Sequence, residues 1–189
     1  MNVSARAVRF GSFYPVGAGP TNSMAWVKSE YAGELAVLST WLVGLAPWSV
    51  SIFGEGGFTV ISFRFLPLRL LYILGAELPN ERPLLPAWAV ADFQQSAELT
   101  IAGHLGFAAL AVFALPLGLS FYYYFEEERI TAWLPVDPVR LFGGLLGLVG
   151  LLTAAASLLF IRYFPGTTLP VGSVLALVLA YLLLTVDRT

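Results

Sequence analysis

Three side chains could do chemistry in an otherwise apolar chain: His104, Arg64 and Arg69. His104 is the one histidine, and histidine alone has an ordinary pKa near neutrality. It falls in a long uncharged run, where an ionisable group can serve a proton path or bond a neighbouring helix. A relay needs a titratable partner, and Glu98 is six residues away, on a different face of a helix. A helix-packing hydrogen bond is therefore the expectation for His104. Arg64 and Arg69 could coordinate an anionic lipid head or an anionic substrate. Near a membrane interface, however, arginine stems more often lie along apolar surface with the guanidinium in water. Residues 126–128, three glutamates in a row, would hold a cation only if oxygens from several turns converged, and the run reads as a solvated loop.

Other chemistries lack their residues. The chain has no cysteine, which removes disulfides, thiolate metal sites, iron–sulfur clusters and cysteine nucleophiles. A single histidine limits metal ligation as sharply. No span holds paired carboxylates, a Ser–His or Ser–Lys set or zinc-ligand spacing, and there is no Gly-rich phosphate loop followed by Lys. The sequence thus predicts no catalytic residue, no cofactor and no metal, and a protein that is not an enzyme. The formal net charge is −2, and nine of the ten basic residues are Arg. No basic stripe exists, so nucleic acid is not an expected partner. The arginine usage with acidic loops suits a GC-rich genome and a halophile.

The elements that must position these groups are written in the composition. Of 189 residues 58% are hydrophobic and 12% charged, with a mean hydropathy of +0.78; about a quarter of the residues in a soluble domain are charged. One membrane domain surrounded by lipid is the expectation. Its plainest span starts at Asp137-Pro138, a capping residue followed by a proline suited to the first helical position. Residues 141–160 then carry no charge over a length that matches the ~30 Å hydrocarbon core. Gly143, Gly147, Gly150, Ala154 and Ser157 line one face of it, a pattern that lets another backbone approach. Gly172, Ala176 and Ala180 repeat the device in the last span, and Ala102, Gly106 and Ala109 in the second. Spans are expected at 29–48, 99–125, 139–162 and 168–186, with Trp26 and Trp48 as interfacial indoles at the ends of the first and Tyr122 to Tyr124 as a girdle on the second.

Residues 49–74 decide the span count. Gly54-Glu55-Gly56-Gly57 between runs rich in Val, Ile, Phe, Thr and Ser has hairpin chemistry. Read instead as a span, residues 58–74 gain roughly 3–7 kcal/mol from their apolar side chains and lose roughly 5–7 kcal/mol to Arg64 and Arg69, before Pro67 is counted. The expected fold is a membrane all-α protein, a four-helix transmembrane bundle with a β-hairpin or re-entrant insert after the first span; the alternative is five spans. Residues 1–23 mix Arg, Gly, Pro and Ser and read as a disordered tail, with Met24 a candidate start of translation. Lys and Arg counts put the N-terminus in the cytoplasm of a cell membrane.

The stretches WVKSEYAGELAVLSTWL (residues 26–42) and LPVDPVR (residues 134–140) resemble an uncharacterised family of small multi-pass membrane proteins from halophilic archaea, over the chain from about Met24 onward. The resemblance implies membrane localisation and topology; it implies no activity and no site. With packing faces on three spans and no catalytic set, the expected function is a non-enzymatic structural or partner-binding membrane component, as a homo-oligomer or with another membrane protein. The alternative is a small transporter or channel in which His104, Arg64 and Arg69 line one polar cavity.

Overall fold

The computed structural model describes residues 31–75, 83–90, 96–125 and 137–186. In chain order it runs α1 (Ala32–Leu45), β1 (Ser49–Glu55), β2 (Phe58–Arg64), β3 (Leu68–Leu74), β4 (Leu84–Pro86), α2 (Ala87–Val90), α3 (Ala97–Phe125), α4 (Pro138–Tyr163), β5 (Thr167–Leu169) and α5 (Val171–Thr185). The expected all-α four-helix bundle with an insert is corrected by this order. The strands form one antiparallel five-stranded sheet, β4-β3-β2-β1-β5, and among the described residues only α3 and α4 have the length and apolarity to cross a membrane, α1 and α5 being shorter apolar helices. The five-span alternative fails too, because residues 58–74 are the adjacent strands β2 and β3. The tail at 1–23, the start at Met24, Trp26 and residues 126–128 lie outside the described residues.

The hairpin forms at Gly54-Glu55-Gly56-Gly57, but with two turn residues instead of four. Glu55 pairs with Phe58, and Gly56 and Gly57 take φ of 60° and 93°, the positive angles that a tight two-residue turn requires and that glycine tolerates. Two later pieces complete the sheet. Leu68–Leu74 turns back beside β2 through a close bond from Phe65 N–H to Leu68 O (2.8 Å), and Thr167–Leu169 returns from the far end of the chain to pair with β1. Neither was legible: LRLLYIL is apolar on both sides, so it shows no period-two alternation, and a three-residue strand has no period at all.

The helices alternate in direction towards and away from this sheet. Trp48, Gly44 and Trp41 meet Gly106, Phe113 and Phe121 in turn, so α1 and α3 are antiparallel. Gly143, Gly147 and Gly150 meet Leu184, Ala180 and Leu177, so α4 and α5 are antiparallel as well. The cap expected at α4 is present, with Asp137 Oδ1 accepting from Val139 N–H at 3.1 Å. Hydroxyls at the helix contacts bond within the protein: Thr153 donates to Val149 O at 2.9 Å, and Ser157 and Ser173 meet across α4 and α5 at 3.3 Å. Helix to sheet, the junction is Trp48. Expected as an interfacial indole, it lies outside α1 and is 6% exposed, because its N–H bonds Arg64 O, its indole N–H bonds Phe65 O and its ring packs near Phe160.

The interior combines large apolar side chains such as Phe160, Leu146 and Leu183 with hydroxyls, and much apolar surface is left outside. Ser39, Thr40, Ser120, Thr153, Ser157 and Ser173 are buried, while Leu38, Leu115, Leu151, Leu158, Val174 and Tyr181 are more than half exposed. Register puts Ser49, Ser51, Ser62, Arg64 and Thr168 on one face, all buried, while Ile52, Tyr72, Leu74, Leu84 and Leu169 of the other face are exposed.

Glycine contacts separate packing positions from neutral ones. A Cβ at Gly172 would stand 2.5 Å from Pro47 O and 2.8 Å from Trp48 Cα, both backbone, whereas one at Gly144 or Gly118 would meet open space. Gly172→Ala should therefore destabilise by roughly 1–3 kcal/mol, and Gly144→Ala should leave stability unchanged or raise it by about 0.5–1 kcal/mol. Thermal unfolding of the purified variants measures both, and equal losses would contradict this packing.

Candidate functional site

Arg64 comes from the last position of β2, where the chain must leave the sheet for the turn at residues 65–67. Strand alternation from Ser62 turns it inwards, onto the helices. It is 3% exposed. Its Nη1 donates to Ser51 Oγ at 2.5 Å, and Ser51 Oγ meets Thr168 Oγ1 at 2.7 Å across β1 and β5. The guanidinium carbon stands 3.8 Å from the centre of the Phe160 ring and 5.7 Å from that of Phe164, a stacked cation on an aromatic face. Its Nε has no hydrogen-bond partner. Burial first, and then the neighbouring charge of Arg69, pull the guanidinium down from its ordinary value to about 9, so it is still a cation at neutral pH but an uncomfortable one.

Arg69 faces Arg64 across the β2–β3 ladder, and both line a cleft walled by Trp48, Leu66, Phe107 and Phe160. The structure thus brings together two of the three side chains singled out in the sequence. It does not add the third. His104 is exposed on α3, although Gly103 and Gly106 on the same stretch of helix do line the cleft. Among the described residues no group of three His, Cys, Asp or Glu could hold a metal.

The small-residue positions fall where helices close on one another. A Cβ at Gly150 would stand 2.9 Å from the Leu177 side chain and one at Gly143 3.0 Å from Leu184. Ala176 and Ala180 are buried, and Ala154 is half-buried. Sequence reasoning missed Ser51 and Phe160 as partners of Arg64 and Thr168 as the partner of Ser51. Ser49-x-Ser51 and Ser62-x-Arg64 have the period-two spacing that would have put these groups on one face once the hairpin register was known. Thr168 left no such trace, being 117 residues from Ser51.

A family model described as a family of unknown function, DUF7549, matches residues 25–188. The chain belongs to that family. Comparison with proteins of curated function gives no match. The family therefore adds no activity to what the cleft shows: a recess lined by two arginines with aromatic walls.

The contacts of Arg64 set an order of variant stabilities. Ser51→Ala takes away a buried acceptor and leaves the cation with one partner fewer, an expected loss of about 1–3 kcal/mol. Arg64→Met replaces a buried cation by an apolar chain of similar length, so the fold should hold or gain stability. In the double variant the loss from Ser51→Ala should shrink, because the group it served is gone. Denaturant unfolding of the three variants checks this, and a larger loss for Arg64→Met than for Ser51→Ala would contradict it.

Proposed function

We propose that this is a multi-pass integral membrane protein, a non-enzymatic structural or partner-binding component of a cell membrane. The observation that supports it is the exposed apolar surface: Leu38, Leu115, Leu151, Leu158, Val174 and Tyr181 of the helices and Ile52, Tyr72, Leu84 and Leu169 of the sheet are exposed, around an interior in which Phe, Leu and Val share space with hydroxyls. In water that arrangement leaves an apolar surface over most of the molecule, which soluble monomers avoid. In lipid it is the favourable one, since helix contacts there come from small residues and internal hydrogen bonds.

In this reading α3 and α4 cross the bilayer, at 29 and 26 residues or about 44 and 39 Å. The shorter α1 and α5, at 14 and 15 residues or about 21 and 23 Å, pack beside them. The sheet lies at one membrane face, and its exposed outer residues Ile52, Tyr72, Leu84 and Leu169 meet lipid, a second copy or another membrane protein. Lys and Arg counts favour a cytoplasmic N-terminus, and the arginine-rich composition favours a halophilic archaeal source. The non-enzymatic part rests on the residue inventory, which offers no nucleophile with a base and one histidine, exposed on α3.

The chain has no cysteine, so single-cysteine variants test the placement directly. In native membranes Leu151→Cys, Leu158→Cys and Val174→Cys should resist a membrane-impermeant maleimide, and Arg140→Cys at the start of α4 should react. The protein should also stay in the pellet after alkaline carbonate extraction, and a reporter active only in the cytoplasm should be active at the N-terminus. Release by carbonate with equal labelling at all four positions would end the membrane reading.

A further inference from the structure

The outer face of the sheet changes polarity along its strands. The ladders put Leu84, Leu70, Phe63, Val50 and Leu169 in one row across all five strands, each an aliphatic or aromatic side chain. Two residues further along, the next row is Tyr72, Ile61, Ile52 and Thr167, and the one after it Leu74, Thr59 and Gly54. Hydroxyls and glycine thus enter with distance from the first row. That wholly apolar row is the one nearest the helices, since Val50 follows Trp48 and Leu169 comes just before α5. No row holds a charge, and Ile52, Tyr72, Leu74, Leu84 and Leu169 are 43–57% exposed. A gradient along one axis matches surroundings that themselves pass from hydrocarbon through headgroups to water.

Helix lengths fix the depth of that gradient. At 14 and 15 residues, α1 and α5 leave about 7–9 Å of a ~30 Å hydrocarbon core to be covered by what adjoins them. The strands run on in the same direction: Arg64, paired with Ser49, stands over Phe160, and Phe53 stands against Phe164, so β1 advances as α4 does. Val50 is five residues beyond Leu45, and Leu169 two before Val171; Leu45, Val171 and Val174 are exposed, so the apolar row carries on the exposed surface of the helices. The sheet edges suit this position. β4 and β5 have three residues each, and Pro83, Pro86, Pro165 and Pro170 at or near their ends remove donors, which hinders pairing with a second sheet and limits the N–H groups that lipid would leave unmet. We propose that the outer face of the sheet is a lipid contact set into one leaflet, with the row from Leu84 to Leu169 among the acyl chains and Tyr72 at headgroup level. This placement rests on the membrane reading above and adds to it the occupant of the face and the depth of each row.

The test is nitroxide labelling of single-cysteine variants of the full chain in vesicles of phosphatidylcholine and phosphatidylglycerol. Collisions are read with oxygen, which concentrates among acyl chains, and with a nickel chelate, which stays in water. Leu84→Cys, Tyr72→Cys and Leu74→Cys sample the three rows over about 13 Å along the strands, and Leu151→Cys on α4 reports whether the helices are in lipid at all. The oxygen-to-nickel ratio should be high at Leu151, several-fold higher at Leu84 than at Leu74, and intermediate at Tyr72. Leu169→Cys at the opposite edge repeats the Leu84 measurement, so one misfolded variant leaves the comparison intact. A high ratio at Leu151 with water-like ratios at Leu84 and Leu169 overturns the proposal and leaves the membrane reading standing. Few collisions with either reagent in all three rows also overturn it, by showing a protein on this face, and spin–spin broadening there would identify a second copy. A water-like ratio at Leu151 ends both readings.

Discussion

Trp48 stands three residues beyond the end of α1 and touches nearly every other element, so the way it is held decides how helices and sheet can meet. Its backbone N–H and indole N–H both go to β2 and the residue after it, at Arg64 O and Phe65 O. Its carbonyl accepts from the backbone and the hydroxyl of Ser173 at the start of α5. Its ring lies against Phe160 of α4 and over Gly106 of α3. A buried indole and a buried carbonyl each need a partner, and here both are met by different elements. Moving the sheet relative to α5 would break one set of bonds to keep the other.

That junction also explains where the glycines matter. Gly172 is pressed against the backbone of Pro47 and Trp48, which is how α5 comes close enough for Ser173 to reach Trp48 O. Gly143 and Gly150 let the Leu184 and Leu177 side chains settle against α4. The helices are then joined by close packing, with Phe142, Leu146, Val149, Phe160 and Leu183 buried beside the small residues and one hydroxyl contact, Ser157 to Ser173, across α4 and α5.

Arg64 is the place where this economy is broken. The other buried polar residues of the sheet's inner face are Ser49, Ser51, Ser62 and Thr168; a hydroxyl costs little to enclose when it finds a neighbour, as Ser51 and Thr168 do. A guanidinium costs much more. Ser51 and the faces of Phe160 and Phe164 lower that cost without cancelling the charge. Consistency between local and global choices fails most plainly at this residue.

By itself the sequence determined the apolar character of the molecule, the limits and cap of α4, the small-residue faces of α4 and α5 and a hairpin turn within Gly54–Gly57, and it singled out Arg64 and Arg69. These are properties of composition and of spacing within one element, where the helical period of 3.6 or a turn's demand for glycine leaves a mark on neighbouring residues. Tertiary structure alone decided that β3 and β5 join β1 and β2 in one sheet, that Trp48 is buried, that Arg64 faces Ser51 and Phe160, and that His104 stays outside. Each of these depends on residues far apart in the chain, as Ser51 and Thr168 are. A strand such as β3, apolar on both sides, or β5, three residues long, carries no periodic signal of its partner. Its place is decided by the backbone ladder it joins, β3 against β2 and β5 against β1.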